Sequence, residues 1–311
     1  MCKCLYCYKD LESGQVDFHP SCARRMFGMN TAPQMDYTRQ DMDSLAADII
    51  RSQTTLTGVQ TKLSLNLTKN EGTKRLTIVG LWGQYIFKPQ TDDYEQLPEV
   101  EDLTMHLAED AKLPVARHSL IRLADGSLGY ITKRFDRDAK GEKIAMEDMC
   151  QLSERKTEDK YKSSYEQIAK MIARYSSVPR LDLTNFFELL MFCWITGNND
   201  MHLKNFSLYC PKSQFVLTPA YDLVNAALVN PQDTEELALT LNGKKSRLKL
   251  QDFIQAAERM GLTEKFVEQT VERFYKFLPA WQQTISRSFV SDELKQGYVE
   301  MLQERLARLK G

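Results

Sequence analysis

The chain has 311 residues, enough for one large or two medium domains with a real hydrophobic core. Its 42% hydrophobic and 27% charged residues are ordinary for a globular protein, and a formal net charge of −1 argues against a polyanion as principal partner, so no direct nucleic-acid contact is expected. No apolar run is long enough to span a membrane, the opening MCKCLYCYKD lacks the apolar stretch of a secretion signal, and seven cysteines, with Cys150, Cys193 and Cys210 scattered singly, suit a reducing cytoplasm.

Residues 1–31 read as a short appended segment rich in Cys and polar residues. It holds Cys4 and Cys7 in CLYC, then His19 and Cys22 in HPSC. One CxxC and one HxxC at this separation form a Cys₃His set able to bind Zn²⁺ tetrahedrally, with Cys2 as an alternative ligand. So short a module can hardly bury a core alone, and a metal would supply its folding energy. The competing expectation is a head that holds no metal and packs on the β-rich part.

Asp41 to Ser52 predicts a short amphipathic helix, with Met42, Leu45, Ile49 and Ile50 on one side. The period then changes to two: Leu63, Leu65 and Leu67 alternate with Ser64, Asn66 and Thr68, and KRLTIV and QYIFKP supply two more strands. Leu97 to Ala111 is helical, with Val100, Leu103, Leu107 and Ala111 on one stripe. ARHSLIRL and LGYITKRF are strands around the turn Ala124-Asp125-Gly126. From about Met146 the pattern is almost wholly helical, except for a strand pair, FSLYC and QFVLT, around Pro211-Lys212. The last helix starts at a cap on Ser291 or Asp292. The expected fold class is α+β: a Cys/His-rich segment (1–31), a β-rich lobe (32–135) and a mainly α-helical lobe (136–311).

One stretch of the helical part is odd. Ten nearly unbroken apolar residues run from Phe186 into Gly197-Asn198-Asn199-Asp200-Met201-His202, and polar groups beside a core are costly unless paired or functional. Phosphoryl transfer needs a carboxylate near the attacking hydroxyl, oxygen ligands for Mg²⁺, a cation on the phosphates and a backbone cradle. Asp200 and Asn205 stand in the spacing D-x-x-x-x-N, which in kinases places a base and a metal ligand together. Asp222, in LTPAYDLVNA, offers a second carboxylate for the metal. Lys88 ends a strand from which it can reach phosphates. TTLTGVQTK, Thr54 to Lys62, is a hydroxyl-rich turn hinged on a single Gly58 that would cover them, with Gly58 and Val59 as cofactor-binding positions. Each feature alone has a bland explanation: an Asx turn for the D-x-x-x-x-N pair, a helix cap for Asp222, a solvated edge residue for Lys88, a structural histidine for His202. Their joint order favours phosphotransfer.

TGNNDMHLKNFSLY, TGVQTKLSL, MHLAEDAKLPVARHSL, YITKRFDR, EDMCQL and LTPAYDLVNA together resemble, in order and distance, the signature of the HipA-like serine/threonine kinase toxins of bacterial toxin–antitoxin systems. The resemblance covers about Thr54 to Leu228. It implies a two-lobed, protein-kinase-like fold using ATP and Mg²⁺, with Asp200 as catalytic residue, Asn205 and Asp222 as metal ligands, and Lys88, Lys62 and His202 near the phosphates. Lys133 to Phe135 would meet the adenine, with Phe135 on its ring. Thr55 and Thr57 stand where family members autophosphorylate, and a phosphate there would repel those of ATP. The family's usual residues there are serines. Family members also carry an extra N-terminal subdomain for which this chain leaves no room, so it resembles the short HipT-type variety. That implies a separate small partner protein, beside a helix-turn-helix antitoxin and an aminoacyl-tRNA synthetase as substrate. Two rival expectations stand: a catalytically silent nucleotide-binding scaffold that assembles with an antitoxin on DNA, and a small-molecule kinase.

Overall fold

The computed structural model describes residues 2–42, 44–45, 62–70, 73–79, 83–138 and 140–310. The chain divides into two compact units. The first comprises Met1–Asp102, Ala116–Glu142 and Arg287–Phe289, and the second Leu103–Val115, Lys143–Ser286 and Val290–Gly311. The expected amphipathic helix at 41–52 and the loop at 54–61 fall largely outside the described residues.

In the first unit, α1 (Pro20–Phe27) precedes a five-stranded antiparallel sheet of β1 (Leu63–Asn70), β2 (Thr73–Ile78), β3 (Tyr85–Lys88), β4 (His118–Arg122) and β5 (Leu128–Lys133), in the order β2-β1-β3-β5-β4. The period of two in β1 has its physical result here, since Leu63 and Leu65 are buried while Ser64 and Asn66 are only partly covered. Tyr85 and Phe87 of β3 join them, and Gly129 of β5 lies so close to the Phe87 ring that an added Cβ would sit 2.3 Å from it. Residues 1–31 do not form a core of their own: Cys4, Leu5, Phe18, Cys22, Met26 and Phe27 belong to the same buried cluster as β1 and β3. Their backbone meets the sheet edge too, where the Leu5 carbonyl accepts from Leu120 N of β4 at 3.3 Å. Helix α2 (Leu97–Asp110) starts in this unit, and the boundary between units falls after Asp102.

The second unit is built on α5 (Pro179–Ile195), preceded by α3 (Met149–Leu152) and α4 (Tyr165–Tyr175). Nearly every residue of α5 from Phe186 onward is buried, which explains its lack of amphipathic pattern. Glu188, the one charge in that run, is neutralised by Arg273 at 2.7 Å. Later come α6 (Ala226–Val229), α7 (Leu250–Arg259), α8 (Glu264–Arg287) and α9 (Asp292–Arg308), the last capped by Ser291, whose hydroxyl accepts from Leu294 N. Phe192 of α5 and Phe274 and Trp281 of α8 form an aromatic nucleus.

The expected strand pair within Phe206 to Leu217 is present, but the expectation that the rest from Met146 is almost wholly helical needs correction. Residues Met146–Asp148 are a strand, β6, which pairs with β7 (Ser207–Tyr209), itself paired with β8 (Val216–Leu217). Three residues are too few to display a period of two. Residues 230–249 are turns and bridges, not helix. No helix among the described residues is long and apolar enough to cross a membrane.

Candidate active site

The polar stretch after α5 begins with a forced break. Gly197 has φ 70°, and a Cβ there would lie 2.5 Å from Asn225 Oδ1 and 2.3 Å from Met301 Sδ. The turn it permits buries Asn198 and Asn199 with partners: Asn198 Oδ1 accepts from Asp200 N at 3.3 Å, and Asn199 donates to the Glu235 carbonyl at 3.0 Å. These amides therefore shape the loop. The 3₁₀ turn Leu203–Asn205 follows, and Asn205 Nδ2 donates back to the Asp200 carbonyl at 3.1 Å, so Asp200 and Asn205 are held on one turn. Lys204 between them is fixed from outside by Asp148 at 3.0 Å, and the same carboxylate caps α3. Asp200 remains partly exposed, and its Oδ1 accepts from Tyr161 Oη at 2.6 Å.

Asp222 comes from the loop after β8. Its neighbour Tyr221 donates to the Lys204 carbonyl at 2.9 Å and meets Ser207 Oγ of β7 at 2.6 Å, which ties the Asp222 loop to the Asn205 turn. Asp222 has φ 57°, a left-handed conformation that Asp adopts more readily than most non-glycine residues. Between these groups sits His202, buried, with the edge of Tyr161 against its ring at 4.9 Å. Burial pulls its imidazole down to about 4, although the Asp200 and Asp222 carboxylates both push it up, so the ring is neutral at pH 7. Its Nδ1 is buried and has no hydrogen-bond partner among the described residues. An orphaned polar atom beside a carbonyl-and-carboxylate donor set fits an absent polar group, and oxygen donors of this kind suit Mg²⁺.

In the first unit, Lys88 closes β3, which is flanked by β1 and β5, so the expectation of a solvated edge lysine does not apply. Lys88 is 3% exposed, and its ammonium pairs with Glu101 of α2 at 2.5 Å and faces the Tyr130 ring at 5.4 Å. A buried ion pair costs desolvation that mutual attraction seldom repays with profit, so its presence points to use rather than stability.

A sequence model of the HipA-like C-terminal domain matches residues 54–281, most of the chain. The chain belongs to the HipA-like family. It is 25% identical over 307 residues to a Haemophilus influenzae protein named as a candidate kinase, covering 89% of this chain and 88% of that one. Two Sinorhizobium fredii proteins, also named candidate kinases, are 31% and 30% identical over 238 and 201 residues; the matches span 70% and 62% of this chain but only 58% and 47% of theirs. Among solved structures, HipA of the Shewanella oneidensis toxin–antitoxin system, determined with HipB and operator DNA, matches with a TM-score of 0.71 at 19% identity, over 97% of this chain and 80% of that one. The Helicobacter pylori proinflammatory kinase CtkA matches with a TM-score of 0.52 at 14% identity, over 79% of this chain and 93% of that one. The mixed α and β fold, with a β-rich and an α-helical part, is therefore that of the HipA-like proteins.

The remaining expected residues divide by location. Lys62, just before β1, is exposed. Lys133 ends β5, where burial and then the Arg117 charge lower its ammonium. The segment from Lys133 to Phe135 is braced by Arg134, whose backbone N donates to the Gln84 carbonyl at 2.9 Å and whose guanidinium grips Asp136 through Nε at 2.8 Å and Nη2 at 2.6 Å. Thr55, Thr57, Gly58 and Val59 lie outside the described residues. Cys4, Cys7, His19 and Cys22 come together, their ligand atoms all within 4.8 Å of one another.

Three partners of the expected residues are not singled out by the sequence: Glu101 beside Lys88 in the first unit, and Tyr161 on Asp200 and Asp148 on Lys204 in the second. Glu101 could have been found as one of the first helical acids after a strand lysine, the arrangement kinases use, with Glu99 two residues before it. Tyr161 sits in a polar, turn-rich stretch where no local pattern marks it.

Proposed function

We propose that this chain is a Mg²⁺- and ATP-dependent serine/threonine protein kinase that acts as the toxin of a bacterial toxin–antitoxin system. The observation that carries the proposal is the Asp200 turn, where Asn205 is locked to Asp200 at 3.1 Å while Asp222 and Asp200 act on one neutral, buried histidine. Asp200 orients the acceptor hydroxyl and takes up its proton, and Asn205 and Asp222 hold the metal. Mg²⁺, when bound, supplies charge neutralisation on the transferring phosphoryl group. Lys88 steadies the phosphates and Glu101 holds Lys88 in place. His202 stays neutral, so its free ring nitrogen adds a hydrogen bond without adding charge.

The kinase names of the Haemophilus and Sinorhizobium relatives support the activity, and the HipB-bound Shewanella structure supports a DNA-binding antitoxin as partner. A cytoplasmic aminoacyl-tRNA synthetase as substrate and phosphorylation of Thr55 or Thr57 complete the proposal. Expression of the wild-type chain and of Asp200→Gln in matched cells tests it. Growth arrest and new phosphoserine or phosphothreonine sites should appear with the wild type alone. Equal arrest by both proteins, with no difference in phosphosites, would favour the silent scaffold instead.

A further inference from the structure

We propose that Cys4, Cys7, His19 and Cys22 bind one structural Zn²⁺, and that the loaded knuckle clamps the helix carrying Glu101. The zinc assignment stands independently of the kinase reading; only the link to Lys88 rests on it.

The donor geometry is already that of a zinc site. Zn–S and Zn–N bonds of about 2.3 and 2.1 Å in a tetrahedron set sulfur and nitrogen about 3.6 Å apart and two sulfurs about 3.8 Å apart. Cys7 Sγ lies 3.4 Å and Cys22 Sγ 3.7 Å from His19 Nδ1. The fourth donor, Cys4 Sγ, is within 4.8 Å of all three. The other ring nitrogen of the histidine, Nε2, lies 3.0 Å from the Asp10 carbonyl. A carbonyl can only accept, so Nε2 carries the proton and the Nδ1 lone pair faces the thiols. Zinc-bound histidines are oriented by just such a carbonyl.

The backbone is shaped for the same purpose. Cys4 N donates to the Lys9 carbonyl at 2.8 Å and Tyr8 N to the Cys4 carbonyl at 2.9 Å, closing a tight turn around the CxxC pair, with Tyr8 at φ 61°. Pro20 starts α1 immediately after His19, which brings Cys22 round on the first turn. Four protein donors, two of them on buried cysteines, leave no position for a substrate, so the site is structural.

Tyr8 follows the second cysteine directly, and its hydroxyl donates to Asp102 Oδ2 at 2.6 Å. The other Asp102 oxygen meets His118 Nδ1 of β4 at 2.6 Å. Asp102 is fully buried and adjoins Glu101, the partner of Lys88. The metal thus fixes the turn that presents Tyr8, and Tyr8 fixes the helix at the residue beside Glu101. Ligand loss would release the knuckle and with it one of the ties that hold α2 to the sheet.

Metal analysis of the full chain, purified from zinc-supplemented cells, tests the assignment. One zinc per chain is expected, together with thiolate-to-cobalt charge transfer and tetrahedral d–d bands after cobalt exchange. Cys22→Ser should lose the metal while Cys210→Ser keeps it. Should Cys22→Ser fail to fold, stoichiometric zinc release from folded wild type on titration with a mercurial thiol reagent serves in its place. Absence of zinc from the wild type, or zinc retained in Cys22→Ser, overturns the site. Hydrogen exchange on chelated wild type reads the clamp: amides of 97–102 should exchange at least tenfold faster than in the loaded protein. Unchanged exchange there, with zinc removed, overturns the clamp. Tyr8→Phe should keep its zinc yet show the faster exchange at 97–102. Neither readout uses ATP, so failure here and failure of the kinase reading are distinguishable.

Discussion

The ion pair between Lys88 and Glu101 admits a sharp test of structure against use. Its side chains are 4% and 2% exposed, so Glu101→Leu leaves an ammonium buried with its strongest partner gone. Removing one member of a buried pair costs about 3–5 kcal/mol. The Tyr130 face, 5.4 Å from Nζ, is there before and after the change and offsets none of that, leaving about 3–5 kcal/mol for the single change. Lys88→Met should cost a similar amount, because the buried Glu101 carboxylate then loses the ammonium beside it. The double variant Lys88→Met/Glu101→Leu replaces the pair by apolar groups of like size and should return to within about 1 kcal/mol of wild type. Chemical unfolding at pH 7 gives the three differences, and phosphoryl transfer from labelled ATP gives the function. Stability should recover in the double variant and activity should not. Additive costs would refute the pairing as an energetic unit. Restored activity in the double variant would refute the assigned use of Lys88.

Three further outcomes follow from the same geometry. Gly197→Ala forces a left-handed alanine against Asn225 and Met301 and should destabilise the chain by about 3 kcal/mol, read as a shifted unfolding midpoint. Glu99, on α2, is pushed up to about 7 by burial, with the Asp102 charge adding to the effect. The folded state therefore keeps a proton that the unfolded chain releases, and stability is lost as pH rises from the ordinary carboxyl value of 4.5 through about 7. Glu99→Gln should raise stability by at most about 3 kcal/mol at pH 8 and leave it nearly unchanged at pH 4, as thermal unfolding at the two pH values would show. Tyr161→Phe removes the hydroxyl bound to Asp200 Oδ1 and frees that oxygen for an acceptor hydroxyl, so labelling by ATP should quicken with stability changed by about 1–2 kcal/mol.

Much of the fold was legible because its signals are local. The alternation of Leu63, Leu65 and Leu67 marks β1, the stripe from Val100 to Ala111 marks α2, and the Ser291 cap marks α9. Asp200 and Asn205 stood out by their spacing, and the structure holds them on one turn; Asp222 stood out by the motif around it. What stayed hidden depends on tertiary contact. A three-residue strand such as β6 exists only because β7 pairs with it. Glu101 carries no local mark beside the stripe of Val100 and Leu103, yet Glu101, Asp102 and Thr104 are all buried along with that stripe. The segment 1–31 read as a module apart, since its few apolar residues cannot make a core, yet they complete that of the sheet.

The central claim is that Asp200, with the metal held at Asn205 and Asp222, directs phosphoryl transfer from ATP to a protein hydroxyl. Incubation of the full chain with γ-labelled ATP, with Mg²⁺ and with a chelator, alongside Asp200→Gln and Asp222→Asn, measures it most directly. The account predicts label on Thr55, Thr57 or an added protein acceptor for the wild type with Mg²⁺ alone, and none for either variant while both stay folded. Label carried equally by Asp200→Gln, or a wild-type chain that neither binds ATP nor transfers label, would contradict it.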